Sequence, residues 1–110
     1  MRHTVEFKYR VELLLPLTDN QGRPFSWAKI ERVSEALLER FEGCRTQPLT
    51  PHLGMWKFRG KIYREGVLHF TADGPRADES LAWVLSFKER LKRQFNQIDI
   101  YLAVTELFWM

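Results

Sequence analysis

From Val5 to Leu15 the chain alternates. Val5, Phe7, Tyr9, Val11, Leu13 and Leu15 take the odd positions, while Glu6, Lys8, Arg10 and Glu12 take even ones, with Leu14 the exception. A two-residue period sends successive side chains to opposite faces, so this stretch predicts a strand with one buried and one wet face. Pro16 ends it, and Asp19-Asn-Gln-Gly-Arg-Pro24 is turn chemistry. The period then changes. Trp27, Ile30, Val33, Ser34, Leu37, Leu38 and Phe41 recur at helical spacing behind Ser26, whose hydroxyl can accept an early backbone N–H bond. Gly43 supplies a stop, and two prolines hold Thr46-Gln-Pro-Leu-Thr-Pro51 extended.

Strands follow at about 53–59 and 61–72, joined near Gly60 as a hairpin. In the second, Ile62, Leu68, Phe70 and Ala72 share one face, interrupted by Arg64 and Gly66, and Tyr63, Glu65, Val67, His69 and Thr71 share the other. Gly66 is the kind of residue that marks a bulge or the close approach of another backbone. Asp73-Gly-Pro75 breaks the strand. A second helix is expected from Asp78, as its cap, with a core stripe of Leu81, Val84, Leu85, Leu91 and Phe95 and with Trp83 and Phe87 to one side. Ile98, Ile100, Leu102 and Val104 then alternate with Asp99, Tyr101, Ala103 and Thr105 in a last strand.

The order β-α-β-β-α-β predicts a single α+β domain over residues 1–110 of ferredoxin-like plan, with two helices on one face of a four-stranded antiparallel sheet. Right-handed crossovers place the first and third strands centrally, in the order 4-1-3-2. One sheet face is then uncovered. It should carry Glu6, Lys8, Arg10 and Glu12, then Tyr63, Glu65 and His69, then Asp99, Tyr101 and Thr105.

Composition narrows the classes without choosing a function. The chain has 110 residues, 45% hydrophobic and 28% charged, enough for one core. A lone cysteine, Cys44, excludes an internal disulfide and argues against a thiolate metal cage. No apolar run approaches the roughly 20 residues of a bilayer span, and the N-terminus lacks the apolar centre of a signal peptide. A cytoplasmic protein is expected, with no membrane partner. The net charge of +3 is uneven: Lys57, Arg59, Lys61 and Arg64 face only Glu65 over residues 52–72, and Lys88, Arg90, Lys92 and Arg93 face only Glu89. Either patch could meet an anionic partner, and Lys57, Arg59, Lys61 and Arg64 are the anion-facing candidates.

Three functions fit the open face. Self-association, as a binding or regulatory homodimer, would use the sheet or the apolar tail Leu107-Phe-Trp-Met110. A small enzyme or small-ligand-binding domain would use Tyr63, Glu65, His69, Tyr101 and Arg10. A nucleic-acid binder would stack bases on Tyr63 and Tyr101, but the RNA-recognition pattern is absent and carboxylates on that face repel phosphates. Glu65 and His69 lie roughly 13 Å apart on a straight strand, too far for a hydrogen-bonded pair. There is no phosphate loop, nucleophile elbow or zinc-helix motif, and His3, His52 and His69 lack metal-ligand spacing, so neither metal nor cofactor is expected.

Gly54-x-Trp56, Gly60 and Arg64-Glu65 ahead of an apolar strand resemble the central signature of a family of small bacterial proteins of unknown function and ferredoxin-like plan. The segment Phe87–Gln97 is similar to the helix end before that family's last strand. The resemblance spans about residues 54–97. It implies the architecture and no activity.

Overall fold

The computed structural model describes residues 5–46, 52–58 and 60–110, with residues 46, 52–58 and 61–65 described by their backbone alone. Its elements, in chain order, are β1 (Glu6–Pro16), α1 (Trp27–Arg40), β2 (Gly43–Thr46), β3 (His52–Phe58), β4 (Lys61–Pro75), α2 (Asp78–Gln94) and β5 (Tyr101–Trp109). All pairings are antiparallel, and the sheet runs β2-β4-β1-β5 with β3 also on β4. This is the ferredoxin-like α+β plan in the expected order, with β1 and β4 central. The second strand comes in two pieces, because β2 pairs with Phe70–Asp73 and β3 with Lys61–Val67. Pairing of β1 with β4 stops at Pro16 opposite Val67, so β3 and the first half of β4 continue past it as a two-stranded arm. Phe58 pairs with Lys61 across a turn in which Gly60 takes φ 78°, a conformation that favours glycine.

The core lies between the sheet and the two helices. Val11, Leu13 and Leu15 from β1 and Leu68, Phe70 and Ala72 from β4 meet Ile30, Val33 and Leu37 from α1 and Val84, Phe87 and Leu91 from α2. Leu13, Leu37, Phe70 and Leu91 are fully buried, each worth about 1.5–3 kcal/mol of transfer free energy. Ser26 caps α1 by accepting from Lys29 N–H. The C-terminus of α2 closes differently. Asn96 takes φ 50°, Asn96 N–H donates to the Arg93 carbonyl and Gln97 N–H to that of Lys92, the Schellman pattern with asparagine in place of glycine.

Several expectations are corrected. Asp78 does not cap α2; Ala77 stands at the cap without a side-chain bond, and Asp78 and Glu79 form the acidic first turn, where the helix dipole favours them. Phe87 belongs to the core, whereas Leu85 is 70% exposed. Gly66 forms no bulge: it pairs in register with Leu53, and its carbonyl accepts from Leu17 N–H at 3.1 Å. A Cβ there would lie 3.0 Å from Leu17 Cδ1, so the close approach is real. Residues 73–75 continue β4 instead of breaking it, and residues 107–109 are part of β5, paired with Lys8, Phe7 and Glu6. No helix among the described residues is long and apolar enough to cross a membrane.

Candidate functional site on the open sheet face

Alternation on three strands builds the face turned away from the helices. Register sets Arg10 between Asp73 on β4 and Thr105 on β5, with Gly43 of β2 beyond Asp73. The next row holds Glu12, Thr71, Ala103 and Arg45, and the one after it Leu14, His69 and Tyr101. At the other end stand Lys8, and Glu6 opposite Trp109. Within this face Arg10, Gly43, Cys44, Arg45, Thr71, Asp73 and Trp109 surround an open hollow of about 490 Å³. That volume is within the range of small-ligand sites. Glycine at position 43 helps make it, since nothing lies within 4 Å of where a Cβ would project.

Asp73 organises the hollow. Its carboxylate accepts from Arg10 Nε at 2.7 Å and from Nη2 at 2.8 Å, a bidentate pair. The Arg10 hydrogen bonds hold the Asp73 carboxyl below its usual range against the opposing effect of burial, helped by the Arg10 charge, a hydrogen bond from the Trp109 side chain and the Arg45 charge. The same bond raises Arg10 above its ordinary value. Lys8, only 7% exposed, fixes the neighbouring corner. Its ammonium reaches both Glu42 oxygens at 2.9 and 2.8 Å and Glu6 at 3.1 Å, and lies 4.9 Å from the Trp109 ring centroid. The Glu42 bond is the main reason that Lys8 titrates above its usual value. Trp109 is therefore held by the Lys8 cation over its ring, with the Asp73 carboxylate on the same side of the hollow. It forms a preset platform, 39% exposed.

Glu42 reaches this corner because of a glycine beneath it. Phe41 packs over Gly74, where a Cβ would overlap the ring, and Glu42 N–H donates to the Asp73 carbonyl. The helix-to-strand connection thus lies flat on β4 and turns the Glu42 carboxylate towards Lys8.

Of the five expected ligand-binding residues, Tyr63, Glu65, His69, Tyr101 and Arg10, Arg10 alone lines the hollow. His69 and Tyr101 share the Leu14 row, four residues along the strand from Arg10, or roughly 13 Å. Tyr63 and Glu65 pair with Trp56 and Gly54 in the arm, beyond the end of β1. Lys57, Lys61 and Arg64 pair within the same arm, and Arg59 lies outside the described residues. Asp99 is not on the open face: it precedes β5, bonds Ile100 N–H and pairs with Lys88 of α2 at 3.2 Å. Asp73 and Trp109 do not stand out in the sequence, the one because Gly-Pro follows it as in a strand break, the other because it lies in the apolar stretch Leu107-Phe-Trp-Met110. The signal was present in the parity of β4, since Val67, His69, Thr71 and Asp73 fall on one face. Among the described residues no three His, Cys, Asp or Glu side chains are grouped to hold a metal ion.

No protein-family model matches the chain, and no curated protein matches it. Solved structures do share its fold. One is a phage SAM lyase in complex with S-methyl-5′-thioadenosine, with a TM-score of 0.69 and 10% identity over 96% of this chain and 86% of that one. Another is a phage SAM lyase in the apo state, with a TM-score of 0.63 and 13% identity over the same shares. At this identity the likeness shows the fold alone.

Proposed function

We propose that the protein is a small-ligand-binding domain whose site is the hollow around Asp73, and that its ligand is nucleoside-like: a flat ring carrying hydroxyl or amine groups. The observation that carries this is the convergence of Trp109, Arg10, Arg45, Thr71 and Asp73 on one open cavity. Trp109 offers a face for a ring, and stacking of a base on an aromatic side chain is worth about 1–3 kcal/mol. Asp73 has acceptor capacity beyond its two bonds to Arg10, which suits ligand hydroxyls or an amine. Arg45, Thr71 and the remaining Arg10 N–H groups suit ring nitrogens and ligand oxygens. The shared fold with a phage SAM lyase, solved with S-methyl-5′-thioadenosine, supports choosing that compound and SAM as probes.

Calorimetric titration with each probe tests the reading. Saturable binding is expected, weakened about tenfold or more by Trp109→Ala and by Asp73→Asn. Absence of binding by either probe, or binding indifferent to both substitutions, contradicts it. Release of S-methyl-5′-thioadenosine from SAM in the same mixture would extend the reading from binding to cleavage.

Self-association is a second reading with its own observation. Phe7 and Phe108 meet in a tilted contact, ring centroids 4.8 Å apart, on the helix-side face of the sheet end, yet are 52% and 62% exposed, with Val5 46% and Met110 94% exposed beside them in sequence. Exposed apolar groups so concentrated mark contact surfaces, and a second copy joined there would leave the hollow on the other face open.

A further inference from the structure

The helix layer carries a second cavity that the open-face reading does not use. The two helices run in opposite directions, with Lys29 at the start of α1 donating to the Gln94 carbonyl at the end of α2, and with Phe41, just past α1, edge-on to Trp83 near the start of α2. Between them lies a groove of about 250 Å³. Val33, Phe87 and Leu91 give it an apolar floor, and Lys29, Arg32 and Arg90 line it with positive charge. No carboxylate lines it among the described residues.

The three cations are not equivalent. Lys29 is engaged by the Gln94 carbonyl and by the Phe25 and Phe95 rings. Arg90 has its guanidinium 5.4 Å from the Phe87 ring centroid and 5.8 Å from that of Trp83. The two rings are themselves stacked at 4.5 Å. Contact with ring faces positions a guanidinium without satisfying its N–H groups. Neither Arg32 nor Arg90 is paired with a carboxylate among the described residues, whereas Lys88 and Lys92 of α2 pair with Asp99 and Glu89.

We infer that this groove binds a small organic anion, a phosphate or similar oxyanion attached to a compact apolar or aromatic body. Arg32 and Arg90 hold the oxyanion from opposite walls, and the body lies against Ala36 and the aliphatic stems of the two arginines, above the buried Val33, Phe87 and Leu91. The volume is below that of drug-sized sites, so the ligand is smaller than a whole nucleotide cofactor. Guanidinium forks suit this role because they meet oxyanions bidentately.

Phenyl phosphate is the direct probe, followed by amide shifts in a two-dimensional NMR titration of the whole chain. Saturable shifts are expected at Val33, Ala36, Arg90 and Leu91, with inorganic phosphate binding more weakly and benzyl alcohol not saturating. Arg32→Gln and Arg90→Gln, both at exposed positions where folding can be verified by circular dichroism, should each weaken binding about tenfold or more. Shifts centred on Thr71 and Asp73 instead, affinity unchanged in both variants, or no saturation at millimolar phenyl phosphate would overturn the proposal.

Discussion

Arg10 and Asp73 face each other across the two central strands, and both carboxylate oxygens are bonded, at 2.7 and 2.8 Å. The Asp73 side chain is 12% exposed and that of Arg10 32%. The pair is neither a surface ion pair, worth about 0–1 kcal/mol, nor a fully buried one, whose breaking costs about 3–5 kcal/mol. Asp73→Asn should therefore destabilise the fold by about 1–3 kcal/mol. Thermal unfolding followed by circular dichroism checks this, with a fall of several degrees expected and an unchanged midpoint contradicting it.

Acid sensitivity follows from the same residue. Asp73 is held below its ordinary carboxyl value chiefly by the Arg10 hydrogen bonds, and Asp19 chiefly by the Arg23 backbone N–H. A carboxyl depressed in the folded state adds stability above its unfolded value and loses it as pH falls through the folded value. The urea midpoint should stay level from neutral pH down to about pH 5 and fall below about pH 4. In Asp73→Asn the fall should be shallower. An equal slope in both proteins would assign the acid loss to other carboxylates.

Gly74 is required by Phe41. An alanine there would drive its Cβ into the Phe41 ring, which is 3% exposed and cannot swing into solvent without losing its packing. Gly74→Ala should cost about 1–3 kcal/mol. It should also loosen the Glu42–Lys8 contact that steadies Trp109. A denaturant series that shows wild-type stability would remove this account of the connection between α1 and β2.

The Phe7–Phe108 pair predicts concentration-dependent association. Phe108→Glu replaces an exposed ring, so the fold should be retained. Light scattering on wild-type protein should give a mass above 13.2 kDa that falls to the monomer value in the variant. A wild-type monomer at the highest attainable concentration rules out this surface as a self-contact.

What could be read from the chain follows the strength of each period. The alternation of β1 put Val11 and Leu13 on one face, and Leu68 and Phe70 shared a face of β4 although Gly66 left the register of that strand open; the element order then ordered the sheet. Helix α2 was harder, because Leu85 and Phe87 flank the stripe of Val84 and Leu91 and spacing alone does not say which flank meets the sheet. The structure puts Phe87 in the core and leaves Leu85 exposed. Strand β2 was hidden because Gly43–Thr46 is only four residues long, with no full period to display. The site was half legible. Arg10 stood out by parity, whereas Asp73 was obscured by the Gly-Pro that follows it and Trp109 by its place near the terminus. Both are recruited by pairing with strands distant in sequence, which a local pattern does not register.

The most direct test of the open-face site is an NMR titration with S-methyl-5′-thioadenosine, comparing wild type with Gly43→Val. Position 43 has an ordinary backbone conformation and open space in front of it, so valine should fill the hollow without straining the strand. The account predicts saturable shifts at Arg45, Thr71, Asp73 and the Trp109 indole in wild type, and their loss in a folded Gly43→Val. Shifts confined to other parts of the molecule, or equal binding by the two proteins, would contradict it.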